Sequence, residues 1–181
     1  MTPQQHQHLL EVARASIEHG LRKGMPLHPD HEDPELNRQG ASFVTLNRHG
    51  ELRGCIGSLE PRVALIDDVA TNAFNAAFKD PRFPQLTRAE LQDLEIHISI
   101  LSATELMHFS SEADLLRQLR PGIDGLVIQE GHRRGTFLPQ VWESLPDPVD
   151  FLNHLKRKAG LPAHYWSTTL QVERYSVESI P

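Results

Sequence analysis

Leu94-Glu95-Ile96-His97-Ile98-Ser99-Ile100-Leu101-Ser102 alternates aliphatic and polar side chains with a period of two. That is the period of a strand with one buried face and one wetter face, and it sets Leu94, Ile96, Ile98 and Ile100 against a core. Working outward, Phe43 to Asn47 is rich in β-formers, and Asn47-Arg48-His49-Gly50 reads as a turn before a return strand from Glu51 to Ser58. Between these strands, Val63, Ile66, Val69, Ala70, Ala73, Phe74, Ala77 and Phe78 recur at helical spacing. Asp80-Pro81-Arg82-Phe83-Pro84 ends that helix, because two prolines bar continuation. The expectation is a rigid loop anchored by a buried Phe83. Thr87 and Glu90 form a capping-box pattern for a short helix beyond it.

At the start of the chain, Leu9, Leu10, Ala13, Ile17 and Leu21 mark an amphipathic helix, with Thr2 as N-cap, Pro3 in the first turn and Gly24 as the stop. Met25 to Gly40 carries Pro26, Pro29 and Pro34 and reads as a long connection. After Ser102 the pattern gives a helix at Glu112 to Leu119, a strand at Ile123 to Glu130, a turn at Gly131 to Gly135 and a strand at Thr136 to Leu138. Helices around Gln140 to Ser144 and from Pro148 to Lys158 follow, then a last strand from Thr168 to Val177. Helices mixed with hairpins, without regular crossover units, predict an α+β fold with mostly antiparallel sheet and flanking helices. The reading is one compact unit over residues 1–181, with room for two lobes. Val44 to Gly57 and Val127 to Pro139 share a strand–turn–Arg-Gly–Pro skeleton, which common turn chemistry explains as well as duplication does.

A net charge of −6 argues against a general nucleic-acid-binding surface. No apolar run reaches the ~18 residues of a membrane span. The single cysteine excludes an internal disulfide and a cysteine-based zinc site. The N-terminal ten residues lack a signal pattern, so a cytoplasmic setting is expected.

Leu52-Arg53-Gly54-Cys55-Ile56-Gly57 is the run with most chemical content. Strand alternation would put Leu52 and Ile56 in the core and Glu51, Arg53 and Cys55 on the other face. Arg53 near the sulfur would favour thiolate, and Gly54 and Gly57 would admit a ligand or another backbone. Cys55 is then either a reactive or ligand-contacting thiol, with Arg53 beside it, or a small buried apolar residue. His97 is the best-placed base by pattern, against the plain reading of a solvent-facing or hydrogen-bonded histidine. His28, Asp30, His31, Glu32 and Asp33 crowd a proline-broken loop, which reads as solvated rather than metal-binding, and no metal site or cofactor is expected. Lys156-Arg157-Lys158 fall in the last turn of a helix, where cations suit the dipole; anion binding with Arg133 and Arg134 is the alternative.

The cysteine run resembles the signature of the AMMECR-one-like family, the A component of the AmmeMemoRadiSam system. Gly40-Ala41-Ser42-Phe43-Val44-Thr45-Leu46, Asp80-Pro81-Arg82-Phe83-Pro84, Thr136-Phe137-Leu138-Pro139-Gln140-Val141 and Leu155-Lys156-Arg157-Lys158-Ala159-Gly160 resemble further family blocks in order, together covering about 41–175. The resemblance implies an α+β protein of two lobes with the signature strand lining a cleft between or beside them. It implies association with a Memo-like protein and a radical S-adenosylmethionine protein, and no established reaction. It carries over Arg53, Gly54, Cys55, Gly57, Asp80 and Arg82 as candidates. Cys55 and Arg53 would be catalytic; Gly54, Gly57, Asp80 and Arg82 would bind a small-molecule ligand or a partner. Two functions stay open: a Cys55-dependent enzyme or modification factor, and a non-catalytic component that docks a partner through the Cys55 cleft.

Overall fold

The computed structural model describes residues 1–181. In chain order its elements are α1 (Pro3–Lys23), β1 (Gln39–Arg48), β2 (Glu51–Gly57), β3 (Val63–Ala64), α2 (Leu65–Phe78), β4 (Leu94–Leu101) and β5 (Glu105–Leu106). Then come α3 (Glu112–Gln118), β6 (Gly125–Glu130), β7 (Arg133–Phe137), α4 (Pro148–Lys158), β8 (Gln171–Tyr175) and β9 (Val177–Ile180). The mixture of helices and antiparallel sheet is the expected α+β class. The chain divides into two compact units, Met1–Leu101 with Glu178–Pro181, and Ser102–Val177.

In the first unit, α1 begins as its sequence dictates. Thr2 accepts from the Gln5 N–H, the Gln5 side chain returns to the Thr2 N–H, and Gly24 closes the helix in the left-handed region at φ 72°. The sheet runs β2-β1-β4-β9, with the short β3 also pairing with β1. Val44, Leu46, Ile96 and Ile98 form its buried face and share one core with Leu9, Ala13 and Ile17 of α1 and Val69, Ala70 and Ala73 of α2. His49 and Gly50, both at positive φ, make the two-residue turn between β1 and β2.

Leu52 corrects the sequence expectation: it is 43% exposed, not a core residue. Leu46 pairs with Gly54 and Asn47 with Leu52, which leaves Arg53 as an extra residue in a β-bulge. One inserted residue breaks the period of two, so Leu52 no longer shares a face with Ile56. Ile56 does pack against the core. At Gly54, a Cβ would stand 2.1 Å from the Ala76 carbonyl oxygen, so the absent side chain is what lets α2 lie so close to β2. A buried carboxylate, Asp68, ties α2 to β1 by accepting from the Ser42 N–H at 2.8 Å and the Ser42 hydroxyl at 2.7 Å. Asn72 donates to the same oxygen at 2.9 Å. Burial pushes the Asp68 carboxyl above its ordinary value, against the pull of these donors.

The second unit has a sheet ordered β5-β8-β6-β7. Its core joins Leu126, Ile128 and Val172 of the sheet to Leu115 of α3 and Phe151, Leu152 and Leu155 of α4. Trp142 stacks on Phe151 with ring centroids 3.7 Å apart and donates its indole N–H to the Asp124 carbonyl at 2.7 Å. The helix expected at Gln140 to Ser144 is a 3₁₀ turn over Pro139–Glu143. The last expected strand ends at Tyr175 and a second, β9, starts at Val177; between them Ser176 accepts from the Ser102 N–H and donates its own N–H to the Ser102 hydroxyl. Lys156 departs from the surface-cation reading: it is fully buried and donates to Glu112 at 2.7 Å. Lys158 donates to the Thr136 carbonyl of β7, and Arg133 to the Gly160 carbonyl just beyond α4.

Gly54→Ala should destabilise the protein by about 3 kcal/mol, the upper end for overpacking, because the obstructing atom is backbone rather than a flexible side chain. A urea unfolding midpoint unchanged by the substitution would show that α2 can move aside at little cost.

Candidate functional site

β2 is an edge strand, and β1 is its ladder partner. Along it, backbone groups point alternately toward β1 and away. The Cys55 N–H and C=O point away, and the loop after α2 meets both. Asp80 Oδ2 accepts from the Cys55 N–H at 2.9 Å, and Arg82 donates to the Cys55 carbonyl at 3.3 Å. Asp80 also holds Arg82 through its Nε at 3.0 Å, its Nη2 at 2.7 Å and its backbone N–H at 3.1 Å. The Asp80 side chain is 2% exposed, whereas that of Arg82 is 55% exposed. The guanidinium and the Cys55 N–H hold the Asp80 carboxyl well below the usual carboxylate range. Asp80 and Arg82 thus fix their own loop and grip the cysteine strand.

Phe83 is half-buried, not the sealed anchor expected. Its ring lies beneath two guanidiniums, with Arg82 5.5 Å and Arg53 6.0 Å from the centroid. The anchor is Leu86, 3% exposed, whose N–H donates to the Ala77 carbonyl at 2.9 Å. That bond turns the loop back under α2 and leaves Phe83 nearer the surface.

Arg53, freed by the bulge from the ladder, folds onto Glu90 rather than over the sulfur. Its Nε donates at 2.8 Å and its Nη2 at 3.3 Å, a two-pronged pair. Glu90 also accepts from the Thr87 N–H at 2.8 Å, so one side chain caps the 3₁₀ turn over Arg88–Asp93 and neutralises Arg53. Arg53 draws the Glu90 carboxyl down to about 2. The capping-box pattern located Glu90 in the sequence, but only the fold discloses its partner. Arg53 Nη1 and Arg48 Nε are buried without a hydrogen-bond partner.

Cys55 is partly exposed and free. Its sulfur accepts from the Thr45 hydroxyl at 3.3 Å. Thr45 lies across from Cys55 on β1, and His97 lies across from Thr45 on β4, so the three residues form one row on the sheet face away from the helices. His97 makes no hydrogen bond to the thiol. Thr45 carried no motif in the sequence; the β1–β2 register is the signal that finds it. Gly57 is packed under the Phe43 ring, which stands 2.2 Å from where its Cβ would be. No group of three or more His, Cys, Asp or Glu stands in metal-holding geometry. In the loop read as solvated, His31 meets Asp67 at 3.1 Å and Asp33 accepts from Gln5 at 3.0 Å. A cavity of about 330 Å³ lies elsewhere in the first unit, lined by Leu10 and Arg14 of α1 with Ile96 and His97 of β4.

A family model described as AMMECR1 matches residues 10–180. A protein of Methanothermobacter thermautotrophicus is 39% identical over 178 residues, covering 94% of this chain and 90% of that one. One from Thermotoga maritima is 37% identical over 168 residues, covering 90% of each. A crystal structure titled as that of uncharacterized protein PH0010 from Pyrococcus horikoshii matches with a TM-score of 0.89 and 33% identity, covering 99% of this chain and 92% of that one.

The two lowered carboxylates set an acid limit on stability. An acid stronger in the folded state contributes stability that is complete above its unfolded pKa and is lost as pH falls toward the folded one. For Glu90 that window runs from 4.5 down to about 2, and Asp80 adds to it from 3.8 downward. Wild-type urea midpoints should fall steeply below about pH 4.5. Glu90→Gln should be less stable at pH 7 and flatter across that range; an equally steep profile in the variant would refute the assignment.

Proposed function

The chain belongs to the AMMECR1 family, and we propose that it works as a binding component, docking a partner on its cysteine-bearing strand. The observation that carries this reading is the engagement of the signature residues. Arg53 is held by Glu90, Gly54 admits α2, the Cys55 backbone is gripped by Asp80 and Arg82, and Gly57 is packed under Phe43. Such a run is a rigid presenting strand. A cysteine nucleophile is ordinarily activated by a base within hydrogen-bond reach, and the Cys55 sulfur has a threonine hydroxyl there instead. This favours docking over the alternative of a Cys55–Arg53 catalytic pair.

The partners proposed are the Memo-like protein and the radical S-adenosylmethionine protein that the resemblance implies, in a cytoplasmic setting. No helix is long and apolar enough to cross a membrane. Arg82, half-exposed with its charge balanced by Asp80, and the face bearing Phe43, Thr45 and Cys55 are the surfaces offered.

The test is binding of the purified Memo-like and radical S-adenosylmethionine proteins of the same organism, by biolayer interferometry, to wild type and to Cys55→Ser. Saturable binding to at least one of them, at roughly micromolar Kd, with Cys55→Ser within about twofold, is expected, since a docking surface survives loss of the thiol. No binding up to about 100 μM, or turnover of any added substrate that Cys55→Ser abolishes, would overturn the reading.

A further inference from the structure

We propose that the open edge of β2 at Gly57 pairs with an extended peptide segment of a partner protein, whose strand ends beside Cys55. This rests on the docking reading above and names the kind of segment docked. The edge has a defined hydrogen-bonding pattern. Cys55 directs its N–H and C=O away from β1, since Asp80 and Arg82 take them. The register runs without a break from Cys55 opposite Thr45 to Gly57 opposite Phe43. With a period of two, the Gly57 N–H and C=O also point away from β1. Ser58 turns back inward, its N–H donating to the Ser42 carbonyl at 2.9 Å, as that alternation requires. Neither backbone group of Gly57 has a hydrogen-bond partner within the protein.

An N–H and a C=O side by side on a strand edge are complementary to the same pair on another backbone, the basis of strand addition. The side chains around Gly57 refine the match. Gly57 has no side chain of its own, and the Phe43 ring lies over it. A residue opposite Gly57 on an added strand would carry its side chain on the Phe43 face, so an apolar residue fits there. One step along, the edge is closed, because Asp80 and Arg82 occupy the positions that a longer strand would need at Cys55. The added segment therefore ends or turns at that point, leaving its tip next to the thiol and the exposed side of Arg82.

The test uses the full chain labelled with nitrogen-15 and a capped probe, acetyl-Thr-Val-Val-Val-Thr-amide, titrated to millimolar concentration. Amide shift changes should saturate and centre on Gly57 and Ser58. The same peptide with alternate backbone nitrogens methylated, which removes the donors on one edge, should bind about tenfold more weakly. Shifts that centre on β7 or β4, equal binding of the methylated peptide, or a silent Gly57 would each overturn the proposal. If the purified partners bind while Gly57 stays silent, the docking reading stands and strand pairing alone fails.

Discussion

The Asp80 carboxylate is the interaction on which the first unit's arrangement turns. It lies nearly out of solvent, where an unpaired charge would be costly, and it is satisfied from two directions at once. Arg82 supplies charge and two side-chain donors, and the Cys55 N–H supplies a backbone donor from a strand 25 residues earlier. Because the same carboxylate orders its own loop and the strand edge, neither can move without exposing a charge. The loop in turn carries Leu86 under α2 and Phe83 beneath the Arg53 guanidinium, so the bulge, the helix and the loop form one connected set.

Much of this fold was legible because its signals are local. The Thr2–Gln5 capping box, Gly24 and the alternation of β4 depend on residues a few positions apart and were found where expected. The turn expected over Asn47–Gly50 narrows to His49-Gly50, because Asn47 and Arg48 stay paired in β1. What the sequence withheld depends on distant partners. The bulge at Arg53 arises from how β1 pairs with β2, and nothing in the spacing of Leu52 and Ile56 announces an inserted residue. Lys156 belongs to a run of three cations, and only Glu112, 44 residues earlier, explains why that one turns inward. Phe83 was expected to anchor its proline-bounded loop; the hydrogen bond from Leu86 to Ala77 gives that place to the smaller side chain.

The candidate site was legible as a list of residues rather than as an arrangement. Arg53 and Cys55 were expected to share one face of β2, and the bulge sends the guanidinium to Glu90 and leaves the sulfur to Thr45. The cation near the cysteine is Arg82, which acts on its carbonyl. Glycine plays a recurring part in both units: Gly54 lies against Ala76 of α2, and Gly135 of β7 lies against Ala159 at the end of α4, with a Cβ only 2.9 Å from its nitrogen. The Arg-Gly repeat in the sequence thus marks the same device twice, a second hairpin strand stripped of a side chain where a helix crosses it closely.

The division of the last residues between β8 and β9 has a consequence for biosynthesis. β4 gains its outer neighbour from Val177–Ile180, after the whole second unit has been made. A nascent chain leaving the ribosome can assemble α1, the first hairpin and α2 early, yet β4 must wait through about 76 residues for the strand that covers its edge. Closing so long a loop is slow compared with forming a hairpin. During that interval an aliphatic strand has a free edge, the condition under which nascent chains recruit chaperones or pair with one another. Folding of the second unit during that delay would bring Ser176 to Ser102 and deliver β9 to its place.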